Sequence, residues 1–266
     1  MKKVSIDSVD FDDLCKKMKG AKVPRPNQAN AGTLSGHAAG EPFEKKVYEY
    51  LKTTYKGKIF KQFEYLNDLY LKNPKVISPK ARYALFNSPT ALFLLSRSDK
   101  ATRAWTPQNV FEEKQNDTAD ILYYANDYYD LIDVKTRNIN KNAQAPNIIS
   151  AYKLAKTCAN MIDNGEYDNI GIKYVEIDWS EDGNELQCKN AHHGDLFKAS
   201  PDTLYINWAA AMQIQFHVVD LDQSWTGTRE EWAIKYIKVF VESARERVKK
   251  MEDTFITPFL KYIPQV

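Results

Sequence analysis

Asp120, Asp133 and Lys135 are the residues of this chain whose types and spacing best suit a chemical task. Asp133 and Lys135 are two positions apart in the run Tyr129-Asp130-Leu131-Ile132-Asp133-Val134-Lys135. On a strand they point to the same face. Asp120 opens a second apolar run, Asp120-Ile121-Leu122-Tyr123-Tyr124. Asn126-Asp127 lies between the two runs and suits the tight turn of a hairpin. The pattern predicts a β-hairpin that gathers two carboxylates and an ammonium around one point. Such a group suits a divalent cation beside a phosphate. Mg2+ prefers hard oxygen ligands and needs only one or two carboxylates plus a substrate phosphate. The ammonium can hold an attacking water or offset charge growing on the phosphate. Nuclease chemistry is therefore the leading reading, with Asp120 and Asp133 as metal ligands. The competing reading is an exposed Asp/Lys pair on an ordinary sheet face. The apolar residues that flank both acids weigh against it.

Several elements must position that hairpin. Val9 to Met18 reads as a short helix, followed by a loop-like stretch from Lys22 to Asn30 with two prolines, Pro24 and Pro26. Gly32-Thr33-Leu34-Ser35-Gly36-His37 continues it. This segment, beside Lys22 and Arg25, either lies against a phosphate backbone or is an ordinary surface loop. A helix is predicted to start near Glu41-Pro42, with proline at the first helical position. Phe43, Val47, Tyr50 and Leu51 give it one apolar face. Lys58 to Leu66 reads as a strand, and Asn67 to Thr106 as mixed helix broken at Pro74, Pro79 and Pro89. Asn109 to Gln115 leads into the hairpin. Beyond it come a polar loop from Asn138 to Asn147, a helix from Ile148 to Ile162 capped at Asn164-Gly165, and a strand from Ile170 to Trp179. Glu181-Asp182-Gly183-Asn184 turns that strand, and Leu186 to Lys189 returns. Tyr205 to His217 fits either strand or helix. Thr228-x-x-Glu231 is a capping box opening a long helix to about Met251. Irregular alternation of strands and helices predicts a mixed α+β fold, with helices flanking a central mixed sheet. No repeat or linker divides residues 1–266, so one domain is expected.

Bulk composition sets outer limits. A 43% apolar content over 266 residues supports a sizeable core. A formal charge of +2 neither announces nor excludes nucleic acid, because a basic cleft can coexist with an acidic outer surface. Cys15, Cys158 and Cys188 show no C-x-x-C spacing, which argues against a disulfide framework and for a reducing cytoplasm. No apolar signal region follows Met1-Lys2-Lys3. Ala91-Leu92-Phe93-Leu94-Leu95 is far short of a membrane span.

The order acid, hairpin, acid-x-Lys resembles the core of the PD-(D/E)xK nuclease superfamily. Ala119 stands where that pattern usually has proline. Longer stretches resemble its type II restriction endonuclease branch, and within it the HincII family. These are Gly32 to Lys45, Glu112 to Leu122, Asp133 to Asn138, Ala143 to Lys153 and Tyr205 to His217. With the segments between them the likeness covers nearly the whole chain. It implies a homodimer that cuts duplex DNA at GTYRAC, between Y and R, using Mg2+ and leaving blunt ends with 5′-phosphates. A cognate DNA methyltransferase would protect host DNA. It implies catalytic roles for Asp120, Asp133 and Lys135, and an accessory role for Glu41 or Glu44 on the first core helix. Two alternatives stay open: a repair or junction-cleaving nuclease on the same core, and a non-catalytic DNA-binding module.

Two segments are candidates for reading DNA. Tyr205, Asn207 and Ala209 alternate, so on an extended segment they share a face. Asn207 could then meet adenine N6/N7 or a purine N7, while Ala209 lets a base edge approach. The loop Asn142 to Asn147 offers Gln144 and Asn147 close to the scissile step, with Arg137, Lys141 and Lys153 near phosphates. A Y·R centre is also open to readout through deformability, and the Gln144 loop is a candidate instrument for that distortion. Cys188 with His192-His193 lacks zinc-ligand spacing and reads as surface. Trp225, Trp232 and Tyr236 read as core or interface. Glu112-Glu113 and Lys249-Lys250 read as solvated faces.

Overall fold

A computed structural model describes residues 8–26, 36–69, 73–95, 118–142 and 144–263. Its centre is a six-stranded mixed sheet in the order β1-β7-β6-β4-β3-β2. The strands are β1 (Lys22–Pro24), β2 (Ile59–Lys61), β3 (Ile121–Ala125), β4 (Tyr128–Asn138), β6 (Ile170–Asp182) and β7 (Glu185–Asp195). β4 and β6 run parallel, and every other neighbour in this sheet is antiparallel. A second sheet of three short strands has the order β5-β9-β8. It is built from β5 (Asn147–Ser150), β8 (Ile206–Asn207) and β9 (Gln213–Gln215).

Helices cover both faces of the large sheet. Side chains alternate across a strand, so neighbours on β4 enter different cores. Ile132 and Val134 pack with Phe11 and Leu14 of α1 (Phe11–Met18) and with Phe43, Val47 and Leu51 of α2 (Gly36–Thr54). Tyr129 and Leu131 join the other core, with residues from α3 (Gln62–Leu69), α4 (Pro79–Phe86), α5 (Pro89–Leu95), α6 (Ala151–Asn164) and α7 (Arg229–Met251). Trp232 and Tyr236 of α7 are core residues, fully buried and stacked on each other. Trp225 packs half-buried at the edge of the same core, and Lys249-Lys250 are exposed, as expected. Thr228 and Glu231 form the anticipated capping box. Among the described residues no helix is long and apolar enough to cross a membrane. The three cysteines are unpaired, and Cys158 and Cys188 are buried.

Several expected boundaries move. Helix α2 starts at Gly36, so Pro42 lies inside it rather than at its first position. Lys22–Pro24 is an edge strand against β7 rather than loop, with Pro24 at its end, where a missing donor is tolerated. The strand expected from Lys58 to Leu66 stops at Lys61, and α3 takes over at Gln62. Tyr65, Leu66 and Leu69 are buried at helical spacing there. Ile148 and Ile149 belong to β5. Ser150 then caps α6, its side chain accepting the Lys153 N–H, and Gly165 closes that helix at φ 65°. β7 runs on to Asp195, well past Lys189, because β6 offers a full-length partner. The expectations for 27–35, 70–72, 96–117 and Ala143 lie outside the described residues.

Candidate active site

The hairpin forms around Asn126 and Asp127, both at positive φ (52° and 62°). This is the left-handed pair that a two-residue hairpin turn requires, and Asn and Asp tolerate it. Ile121 then falls opposite Ile132, which brings Asp120, one residue ahead of β3, alongside Asp133. Asp120 Oδ2 accepts the Val134 backbone N–H at 2.7 Å. Lys135 Nζ lies 2.7 Å from Asp133 Oδ2. The three residues chosen from spacing therefore meet in one cluster in the middle of the sheet.

The electrostatics of this cluster are those of crowded acids. Burial, reinforced by the neighbouring Asp133 carboxylate, pushes the Asp120 carboxyl up to about 8. Burial pulls the Lys135 ammonium downward, but Asp133, Asp120 and Glu44 outweigh it and hold its pKa above the ordinary lysine value. Lys135 is therefore a cation here, suited to meeting an anion and unsuited to taking a proton. Of the two helix acids, Glu44 is the one whose charge reaches Lys135. It pairs with Lys61 of β2, whose ammonium sits 4.8 Å from the centre of the Tyr48 ring. Glu41 is exposed.

Two carboxylates held together against their own repulsion fit a hard divalent cation, since positive charge relieves both burial and mutual repulsion. Asp120 and Asp133 offer two oxygen donors to such an ion, and among the described residues no group of three or more His, Cys, Asp or Glu is placed to hold a metal.

Upstream, the expected proline is replaced by buried Ala119, whose N–H donates to Gln62 Oε1 at 2.9 Å. Gln62 Nε2 donates in turn to the Leu95 carbonyl at 2.8 Å. Gln62 thus sets the backbone just ahead of Asp120. Sequence reading passed over it because it sat in a presumed strand.

The candidate DNA-reading residues divide. Gln144, Asn147 and Asn207 come together around one side chain, Gln215, which sequence reading did not single out. Tyr205 is 63% exposed at the start of this region. The extended Tyr205–Ala209 segment is corrected: β8 ends at Asn207, and Trp208–Ala210 is a 3-10 turn. Asn207 causes this by accepting the N–H groups of Ala209 and Ala210 on its own side-chain oxygen. Ala209 is exposed but does not alternate with Asn207 along a strand. Arg137 is forked onto Asp178, with nitrogen–oxygen distances of 2.7 and 2.8 Å. His192 also touches Asp178, at 3.0 Å. Buried Asp178 is held below the usual carboxylate range, because the Arg137 and His192 contacts outweigh its burial. Lys141 is exposed, and Lys153 donates to Thr118 at 2.5 Å. His192 and His193 point to opposite faces of β7, toward Asp178 and Asp12 respectively, which removes the geometric basis of a zinc pair.

A central mixed sheet between helices, with an acid, a tight hairpin and an acid-x-lysine strand at its middle, defines the class: this is the restriction-endonuclease-like core of the PD-(D/E)xK nucleases. Residues 14–263 match the family described as "Restriction endonuclease HincII", and the chain belongs to that family. Over 253 residues it is 60% identical to "Type II restriction enzyme HindII" of Haemophilus influenzae (strain ATCC 51907 / DSM 11121 / KW20 / Rd), covering 95% of this chain and 97% of that protein. It is 59% identical to "Type II restriction enzyme HincII" of Haemophilus influenzae, with the same coverage of each. Among solved structures, NlaIV restriction endonuclease overlaps 90% of this chain and 88% of its own, at 12% identity and a TM-score of 0.39. The chain is thus a type II restriction endonuclease, with DNA as its substrate.

Proposed function

We propose that the chain, working as one domain over residues 1–266 and as a homodimer in the cytoplasm, cuts duplex DNA at GTYRAC. It does so with Mg2+, between Y and R, leaving blunt ends with 5′-phosphates. A partner methyltransferase would protect the same site in host DNA. The observation that carries this reading is the meeting of Asp120, Asp133 and Lys135 on adjacent strands. The likeness to HindII and HincII supports the specificity.

Asp120 and Asp133 would hold the cation. When bound, Mg2+ supplies Lewis acidity and lowers the pKa of a coordinated water. The remaining work falls to the chain itself. The Val134 N–H fixes one Asp120 oxygen and so orients the carboxyl. Lys135, kept protonated by its acidic neighbours, donates to a phosphate oxygen and offsets the charge that grows as the phosphorus becomes pentavalent. Arg137 and Lys141 lie on the chain as it leaves the catalytic strand. They serve phosphates, Arg137 by exchanging or sharing its Asp178 partner. Gln144, Asn147, Tyr205, Asn207 and Ala209 form the base-reading surface.

A plasmid digest with and without Mg2+ tests the reading. Discrete blunt fragments that need the metal are expected. Structure-dependent nicks would favour the repair-type alternative, and intact plasmid with retained binding the non-catalytic one. Asp133→Ala and Lys135→Ala are expected to lower cleavage by about 10²- to 10³-fold or more while duplex binding persists, the lower bound being the loss typical of removing one charge-stabilising group. Undiminished cutting in either variant would overturn the mechanism.

A further inference from the structure

The three-stranded sheet has a feature that chemistry at Asp120 does not use. Its middle strand, β9, ends on half-buried Gln215. Asn147 lies opposite Gln215 on β5. On the other side, the Gln215 backbone N–H donates to the Tyr205 carbonyl at 3.1 Å, just ahead of β8. Gln215 therefore stands where the two candidate reading segments meet. Its Oε1 accepts from Asn207 Nδ2 at 2.8 Å and from Gln144 Nε2 at 3.5 Å. Its Nε2 donates to Asn147 Oδ1 at 2.8 Å.

The direction of these bonds is dictated from one end. A carboxamide oxygen only accepts and its NH2 only donates. Asn207 Oδ1 accepts the backbone N–H groups of Ala209 at 3.0 Å and Ala210 at 3.2 Å. Only an oxygen can face two N–H donors, so the Asn207 NH2 must face Gln215. Gln215 then turns its oxygen to Asn207 and its NH2 to Asn147. Asn147 answers with its oxygen, and its own NH2 is left at the exposed end of the relay. A donor there matches a base-edge acceptor such as purine N7, guanine O6 or thymine O4. It mismatches the exocyclic amines of adenine and cytosine.

We infer that Gln215 is a positioning residue for sequence reading. It sets the amide polarity that Asn147 presents to DNA, passing it on from the 3-10 turn after Asn207. This rests on Asn147 and Asn207 being base-contacting residues.

Gln215→Glu tests it. The substitution keeps shape and acceptor capacity but replaces the donor to Asn147 with an acceptor, so Asn147 must turn its NH2 inward. Gln215→Leu removes all three side-chain bonds at similar volume. The measurement is kcat/KM of the full chain on duplexes carrying GTYRAC and on duplexes altered at each base pair in turn. Asn147→Ala and Asn207→Ala are assayed beside them. Gln215→Glu is expected to lower the ratio of intact to altered sites by roughly 10-fold. The loss should centre on the base pair at which Asn147→Ala also relaxes selectivity. A carboxylate that merely repels DNA, or a loosened fold, slows every duplex alike and leaves the ratio unchanged; that result overturns the inference. If Asn147→Ala and Asn207→Ala relax selectivity while both Gln215 variants do not, the role of Gln215 alone falls. If those two alanine variants also leave the ratio unchanged, the reader assignment falls with it.

Discussion

Asp120 occupies a place that suits a proton better than a charge, and this has a thermodynamic consequence. Its carboxyl titrates near 8 in the folded chain, against 3.8 for the ordinary group. Between those values the folded state holds a proton that the unfolded chain has released. The contribution to stability is therefore full below about pH 4 and is lost as pH rises toward 8. Metal-free protein should unfold at progressively lower urea concentration across that window. Asp120→Asn should flatten the dependence and leave the chain more stable than its parent at pH 8 by ~1–3 kcal/mol. Urea unfolding in a chelator, repeated across pH, checks this; superimposable pH profiles for parent and variant would contradict it. Divalent cation should stabilise the parent and not the variant, because a ligand of the folded state adds stability only where its site is intact.

At the level of elements, the hairpin works because neighbouring pieces hold its entry. Gln62, at the first position of α3, spans from the Leu95 carbonyl at the end of α5 to the Ala119 N–H before Asp120. A leucine of similar size would leave both backbone groups without that partner in a buried place. Gln62→Leu is therefore expected to cost ~2 kcal/mol in urea unfolding. It should also slow cleavage at saturating DNA, because Ala119 adjoins Asp120, the proposed metal ligand. A stable variant with parental turnover would show that Asp120 is placed by the hairpin alone. The hairpin itself was legible in sequence, since two short apolar runs flank turn residues of the right chemistry. Gln62 was not, because Ile59, Phe60, Phe63 and Tyr65 read equally well as strand. Only the packing of Tyr65, Leu66 and Leu69 selects the helix.

For the whole molecule, the proposed cutting of both strands turns on symmetry. One chain presents one cluster of Asp120, Asp133 and Lys135, and a duplex has two strands. The proposed blunt cutting within a palindrome calls for two clusters related by a two-fold axis, the usual solution for symmetric DNA sites. Sedimentation velocity of the full chain is expected to give twice the mass of one chain, with or without DNA. A monomer that still cuts both strands in one encounter would contradict the symmetric reading. A net charge of +2 supplies little long-range attraction, so the proposed DNA contacts rest on local placement of basic residues such as exposed Lys141.

The sequence by itself determined the chemistry and the kind of scaffold. Two short apolar runs and an Asn-Asp turn are local signals, and they suffice to form the hairpin that brings Asp120, Asp133 and Lys135 together. Long stretches of likeness then pointed to the family. Tertiary structure decided what depends on contacts between distant segments. Asn207 bends its own backbone, so Ala209 leaves the strand face. Arg137 finds Asp178, 41 residues away, and is held there. Gln215 meets Asn147, 68 residues away, and donates to its side-chain oxygen. Such partners carry no periodic signal, because a hydrogen bond between carboxamides depends on where two strands end in space.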